Sequence, residues 1–223
     1  RYRAGENTQA LTYWQKFQEG EPHSVLFLAD GKGCQIVGFN RQWMVALNEL
    51  DEFIFSGVIN NAALSDTQKN QLGAWVAKLV AEYSLKGLNS LDFIQDGDST
   101  YVLEINARPP ASIELYGDGL LIHHIKTCQG ELADYKQSQQ PYIAYQILYA
   151  QQDLRIPDGF GWPTGAADLP HAGSIIRKGQ PICSMITQSQ EPGKALEQLQ
   201  TSQALIINKI HRLQTHGIQP QRQ

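Results

Sequence analysis

Apolar and polar positions along the chain fall into short runs that read mostly as strands, with two longer stretches of helical period. Ser24 to Ala29 (SVLFLA) is a nearly continuous apolar run, as expected of a strand buried on both faces. Turn-forming residues bracket it, Glu19-Gly20-Glu21-Pro22 before and Asp30-Gly31-Lys32-Gly33 after. Cys34 to Asn40, Gln42 to Leu47 and Phe53 to Ile59 read as further strands, with Gly57 a point of close packing. Over residues 66–86 the spacing changes: Leu72, Trp75, Val76, Leu79, Val80 and Tyr83 recur every three or four positions. Ser65 or Asp66 can cap that helix, and Gly87 stands where its C-cap is expected. Leu88 to Gln95 and Thr100 to Asn106 then form a hairpin through Asp96-Gly97, stopped by Pro109-Pro110. Ser112 and Asp118 open short helical pieces that run to about Cys128.

Beyond this point the pattern is sparser. Lys136 to Pro141 is polar and reads as a linker. Tyr142 to Ala150 alternates as a strand, and residues 157–181 are rich in Gly and Pro. Ile175-Ile176 and Ile182 to Ile186 are short strands, and Gly193 to about His216 is a second amphipathic helix. The order predicts an α+β fold, divided into residues 1–135 and a β-rich extension with a C-terminal helix, 136–223. No strand–GxGxxG–helix unit is present, which excludes a Rossmann cofactor site.

Composition narrows the function classes. Of 223 residues, 42% are hydrophobic and 18% charged, enough apolar material for a core. A net charge of −4 gives no electrostatic case for nucleic acid. No apolar run is long enough to span a bilayer, and no signal-peptide pattern opens the chain. Cys34, Cys128 and Cys183 are scattered, without CxxC or metal-ligand spacing, and read as reduced structural thiols in the cytoplasm.

The candidate chemistry lies in the hairpin. Alternate strand residues share a face, so Glu104, Asn106 and Arg108 project together while Val102, Leu103 and Ile105 supply apolar packing. The turn folds Asp92 back towards Glu104. Asp92, Glu104 and Asn106 all sit inside apolar strand sequence, where a charge is costly unless paired or bound to a cation. Asp96 and Asp98 occupy the turn, where water satisfies them. Hard oxygen ligands beside a guanidinium suit Mg²⁺ and phosphate oxygens. The competing reading is a surface hairpin with solvated polar residues. His123-His124 lacks a partner carboxylate, Ser24 and Ser112 lack a GxSxG elbow, His171 reads as a loop residue and Trp75 as core.

Asp92 followed twelve positions on by Glu104-Ile105-Asn106-Ala107-Arg108-Pro109 resembles the metal-binding strand pair of the ATP-grasp superfamily. That resemblance implies Mg²⁺ (or Mn²⁺) held by Asp92, Glu104 and Asn106, with Glu104 bridging two ions. It implies Arg108 as the catalytic cation for the transferred phosphoryl or the carboxylate substrate. Upstream, Tyr13-Trp14-Gln15-Lys16-Phe17 through Ser24-Val25 is similar to the superfamily's adenine-holding linker. Trp14, Gln15, Lys16 and Phe17 would then line the ATP site, with Glu21 and His23 near the ribose. Lys16 stands where many relatives carry Glu. The Gly38 to Trp43 run (GFNRQW) and the Phe27-Leu28-Ala29-Asp30-Gly31 strand end resemble one ATP-grasp group, linked to methanofuran and tetrahydromethanopterin metabolism. That group includes a tyramine–glutamate ligase.

The implied fold is the C-terminal ATP-grasp subdomain, an antiparallel sheet with packing helices, plus a small β-rich extension. Its implied activity is ATP-dependent ligation of a small-molecule carboxylate to an amine through an acyl phosphate, without nucleic acid or membrane; a homodimer is compatible with it. The superfamily's Gly-rich loop and its Lys do not occur in residues 1–12. The chain is therefore expected to be the C-terminal portion of a longer protein and inactive as an isolated fragment. The alternative is a non-catalytic nucleotide-binding or subunit-interface module on the same fold.

Overall fold

The computed structural model describes residues 15–49, 51–117, 119–132, 134–136 and 141–216. Tyr13, Trp14, Asp118 and residues 137–140 of the expected linker lie outside the described residues. Eight strands form one sheet in the order β5-β4-β1-β2-β3-β6-β10-β8, and all its pairings are antiparallel. They are β1 (Glu21–Asp30), β2 (Cys34–Val45), β3 (Ile54–Ile59), β4 (Lys86–Asp96), β5 (Ser99–Asn106), β6 (Tyr142–Tyr149), β8 (Ala166–Ala167) and β10 (Pro181–Ser189). Two further short strands, β7 (Leu154–Arg155) and β9 (Ile175–Ile176), pair separately. Strand β1 runs between β4 and β2, and its apolar run is buried on both faces.

One face of β1 sends Val25, Phe27 and Ala29 against helix α1 (Asp66–Tyr83), which contributes Leu72, Val76 and Val80. The other face sends Leu26 and Leu28 against a 3₁₀ turn (Ala111–Leu115) and helix α2 (Leu120–Cys128). Helix α3 (Pro192–His216) covers β6 and β10 with Ala195, Leu199, Ile206 and Ile210. Strands from both sides of residue 136 thus share one sheet, because β6 pairs with β3.

Several local expectations are revised. Residues 34–45 form one strand rather than two, since Arg41 pairs with His23 on one side and Ile59 on the other and the ladder continues through it. Helix α1 ends at Tyr83, with Ser84 as a left-handed cap at φ 49°. Gly87, at φ 72°, instead opens β4 beneath His124 and Cys128, where a Cβ would lie 2.6 and 2.7 Å from those side chains. At its start α1 carries a reciprocal cap: Ser65 Oγ accepts from the Gln68 amide and Gln68 Oε1 accepts from that of Ser65. Gly57 is the expected close-packing point, because the Trp43 indole of β2 lies where its Cβ would be.

Candidate functional site

The β4–β5 hairpin turns through Gly97-Asp98 and brings Asp92 directly opposite Glu104. Phe93 pairs with Val102, so Leu103 is an extra residue, a bulge beside the carboxylate pair. Leu103 and Val102 are exposed rather than packed, whereas Ile105 joins the core under α1. A local stretch of ladder is given up, and the strand is re-aimed so that Leu103 faces a cleft.

Asp92, Glu104, Asn106 and Arg108 form one hydrogen-bonded cluster. Asn106 Nδ2 donates to Asp92 Oδ2 at 3.0 Å and to Glu104 Oε1 at 3.3 Å. Arg108 Nη2 donates to Asn106 Oδ1 at 3.3 Å. The second Asp92 oxygen, Oδ1, is buried and accepts no hydrogen bond. Burial first, then the neighbouring Glu104 carboxylate, push the Asp92 carboxyl up from 3.8 to about 6. Contacts from Gln42 and Asn106 and the Arg108 charge pull the other way.

Among the described residues no three His, Cys, Asp or Glu side chains gather as a protein-only metal cage. The set here is two carboxylates and a carboxamide, with one carboxylate oxygen unpartnered. Such a set fits Mg²⁺, which is commonly held by one or two carboxylates with phosphate oxygens and water completing the shell.

The linker leads into β1 through Gly20, whose φ of 131° is open to glycine and whose Cβ would lie 2.5 Å from the Gln95 carbonyl. Gln15, Lys16, Phe17 and Glu21 line a cleft of about 1250 Å³. Phe17 stands against Phe53 at its rim, ring centroids 5.8 Å apart. His23 is only 2% exposed and stacks on Phe93 with centroids 5.5 Å apart. Its Nδ1 meets the Glu21 carbonyl at 2.9 Å, and burial lowers its pKa. His23 borders a smaller pocket of about 220 Å³ beside Asp92 and Glu104 rather than the large cleft. Trp14 lies outside the described residues.

The structure adds groups that the sequence did not point to. Gln42 and Met44 of β2 line both cavities and join them. Gln146 of β6 and Leu196, Leu199, Gln200 and Gln203 of α3 wall the far side of the cleft, where Gln146 Nε2 donates to Gln203 Oε1 at 3.4 Å. Gln42 had a legible signal, since it follows Asn40 by two positions on one strand. The α3 residues had none, because only the β3–β6 pairing brings them near the linker.

With this geometry in view, comparison with known proteins places the fold. Residues 2–112 match the family model described as an ATP-grasp domain. No curated protein matches it. Among solved structures, Campylobacter jejuni biotin carboxylase in a β,γ-ATP complex superposes with a TM-score of 0.66 at 15% identity, covering 84% of this chain and 46% of that one. The biotin carboxylase domain of Hydrogenobacter thermophilus 2-oxoglutarate carboxylase, a dimer in complex with MgADP, ADP and bicarbonate, gives 0.65 at 16%, covering 82% and 44%. The biotin carboxylase subunit of pyruvate carboxylase gives 0.65 at 18%, again covering 82% and 44%. These likenesses show the fold, and the chain spans less than half the length of each. Among the described residues no helix is long and apolar enough to cross a membrane.

Proposed function

We propose that this chain is the nucleotide- and metal-handling part of an ATP-dependent ligase that joins a small-molecule carboxylate to an amine through an acyl phosphate. The observation that carries the reading is one hydrogen-bonded cluster of Asp92, Glu104, Asn106 and Arg108, whose two carboxylates line a small pocket that shares Gln42, Met44 and Leu103 with a cleft large enough for a nucleotide. Gln15 to Phe17 would offer backbone groups to the adenine edge, with Phe17, Met44 and Leu103 as apolar cover. Asp92 and Glu104 would hold Mg²⁺, with Asn106 as a further oxygen donor. Bound there, the ion supplies positive charge to phosphate oxygens. Arg108, two residues beyond the end of β5 and bonded to Asn106, adds a cation suited to a transferred phosphoryl or a carboxylate. The protein's own contribution is position and preorganised charge.

Nucleotide complexes of proteins with this fold support ATP as the substrate. The Gly38 to Trp43 run supports an amine acceptor, through its resemblance to the group that includes a tyramine–glutamate ligase. The second reading is a binding or interface module on the same fold without catalysis. We take a homodimer as the working assembly of the whole enzyme.

The test is ATP-dependent ligation by the full-length protein, followed as ADP release over a panel of carboxylates and amines. Glu104→Gln and Arg108→Ala should each lower turnover by 100-fold or more, roughly 3 kcal/mol of transition-state stabilisation, with circular dichroism unchanged. Wild-type turnover in either variant would remove that residue from the mechanism. Mg²⁺-dependent ATP binding without ADP release on any pair would favour the binding module.

A further inference from the structure

Alternation along β2 sorts its residues onto two sheet faces. Asn40 lies opposite Ser24, Ser24 opposite Asp92, and Gln42 opposite Val58, so Asn40 and Gln42 belong to the face that carries the carboxylate pair. Arg41 lies opposite Ile59 and Trp43 opposite Gly57, on the face covered by α3, where Ile59 is core and Trp43 packs against it. Arg41 and Trp43 both line the large cleft. The cation cluster is on the other face of the sheet, so phosphates bound at Asp92 and Glu104 do not account for Arg41.

Arg41 is half-buried, yet among the described residues its guanidinium makes no hydrogen bond and no ion pair. Glu19 and Glu21 line the same cleft, and neither comes within ion-pair distance of it. His23, directly across the ladder, supplies no negative charge: burial lowers its pKa, and the Arg41 charge acts in the same direction. A cation partly withdrawn from water is costly without a partner, and a guanidinium offers a fork of donors that matches a carboxylate. The surroundings are apolar and amide-bearing. The Trp43 ring lies over Gly57, whose neighbour on the next strand is Gln146. Phe53, 57% exposed, adds a second aromatic surface at the rim. Helix α3 contributes Leu196, Leu199, Gln200 and Gln203, none of them charged. Gln203 Oε1 accepts from Gln146 at 3.4 Å, and the Gln203 amide NH₂ has no hydrogen bond among the described residues. The cleft as a whole sets Lys16 and Arg41 against Glu19 and Glu21, a balance that suits a single negative charge rather than a phosphate chain.

We propose that Arg41 anchors a second subsite, on the α3 side of the cleft, which takes an aromatic monocarboxylate. The guanidinium holds the carboxylate, Trp43 and Phe53 cover the ring, and Gln203 supplies an amide donor. The subsite goes beyond the ligase reading and does not depend on it, since no group in it belongs to the cation cluster.

The measurement is benzoate binding to the whole 223-residue chain, without Mg²⁺ or nucleotide, by ligand-observed NMR, with benzamide as the neutral isostere and thermal stability recorded in parallel. Wild-type protein should bind benzoate about tenfold or more tightly than benzamide, a comparison that needs no variant. Arg41→Gln should weaken benzoate by about the same factor and leave benzamide unchanged. Arg41→Lys, which keeps the charge without the fork, should fall between. Glu104→Gln should bind benzoate as the wild type does. Absence of benzoate binding at millimolar concentration, or equal affinity for benzoate and benzamide, would overturn the subsite. Wild-type benzoate affinity in Arg41→Gln, with loss in Glu104→Gln, would place the anion on the cation face, overturning the subsite and leaving the ligase reading standing. A loss of MgATP affinity in Arg41→Gln as large as the loss of benzoate would make Arg41 a nucleotide contact and would also overturn it.

Discussion

Asp92 is a carboxylate placed where burial and a second carboxylate disfavour its charge. Its carboxyl is pushed from 3.8 to about 6 by burial and by Glu104, which corresponds to roughly 3 kcal/mol against the ionised folded state. The sign follows from proton binding. The folded chain holds this proton more tightly than the unfolded chain, so as pH rises from about 4 to about 6 the unfolded state ionises first and stability falls. The contribution is fully present below pH 4 and gone above pH 6. Asp92→Asn is therefore expected to raise metal-free stability at pH 7 by about 1–3 kcal/mol, with the gain vanishing near pH 4, as read from urea midpoints of the two proteins. Millimolar Mg²⁺ should close the difference from the wild-type side, since a cation that binds only the folded chain stabilises it. A wild-type and Asp92→Asn difference that does not change with pH would count against the charged pair. Asp30 and Asp153 have lowered pKa values and the opposite pH trend, which is why the difference between two proteins is the informative quantity.

At the scale of elements, the site depends on three departures from regular strand: the Leu103 bulge, the Gly20 entry into β1 and the Gly57 contact with Trp43. Trp43 lines the cleft, and Gly57 lets its ring lie flat on β3. Gly57→Val should force the ring outward and cost about 1–3 kcal/mol from overpacking. It should also weaken nucleotide binding and shift tryptophan emission; an unchanged melting temperature and emission would refute this account. Elements were legible in sequence where period and turn chemistry agreed. The buried run of β1, the helix after Ser65 and the hairpin at residues 88–106 all show this. The Asp92–Glu104 pairing was legible because both strands and their turn are contiguous. The bulge was not, since Val102-Leu103-Glu104 reads equally well as regular alternation. The continuous β2 was hidden by Arg41, a charged residue whose backbone pairs on both sides. The far wall of the cleft was hidden by distance along the chain, and nothing local in Leu196 to Gln203 marks them as neighbours of Phe17 and Gln42.

At the scale of the whole molecule, β6 makes the last 80 or so residues part of the sheet that carries the site. A chain ending at residue 135 would lose the α3 wall and expose the edge of β3, with Ile59 stripped of its partners. It is expected to form larger, heterogeneous species in size-exclusion chromatography than the full 223 residues do; a species no larger than that of the full chain, with an intact cleft, would contradict this. Strand order also bears on how the chain folds as it is synthesised. Asp92 and Glu104 meet inside one hairpin closed by a two-residue turn, a contact that forms within about 1–10 μs once its residues are available. The pairing of β1 with β4 joins Val25 to Leu91, across the whole of β2, β3 and α1. Until β4 emerges from the ribosome, the most deeply buried strand among the described residues has one edge unpaired. That interval is when a nascent chain of this protein most needs protection from association, and the arrival of the β4–β5 hairpin brings it to an end.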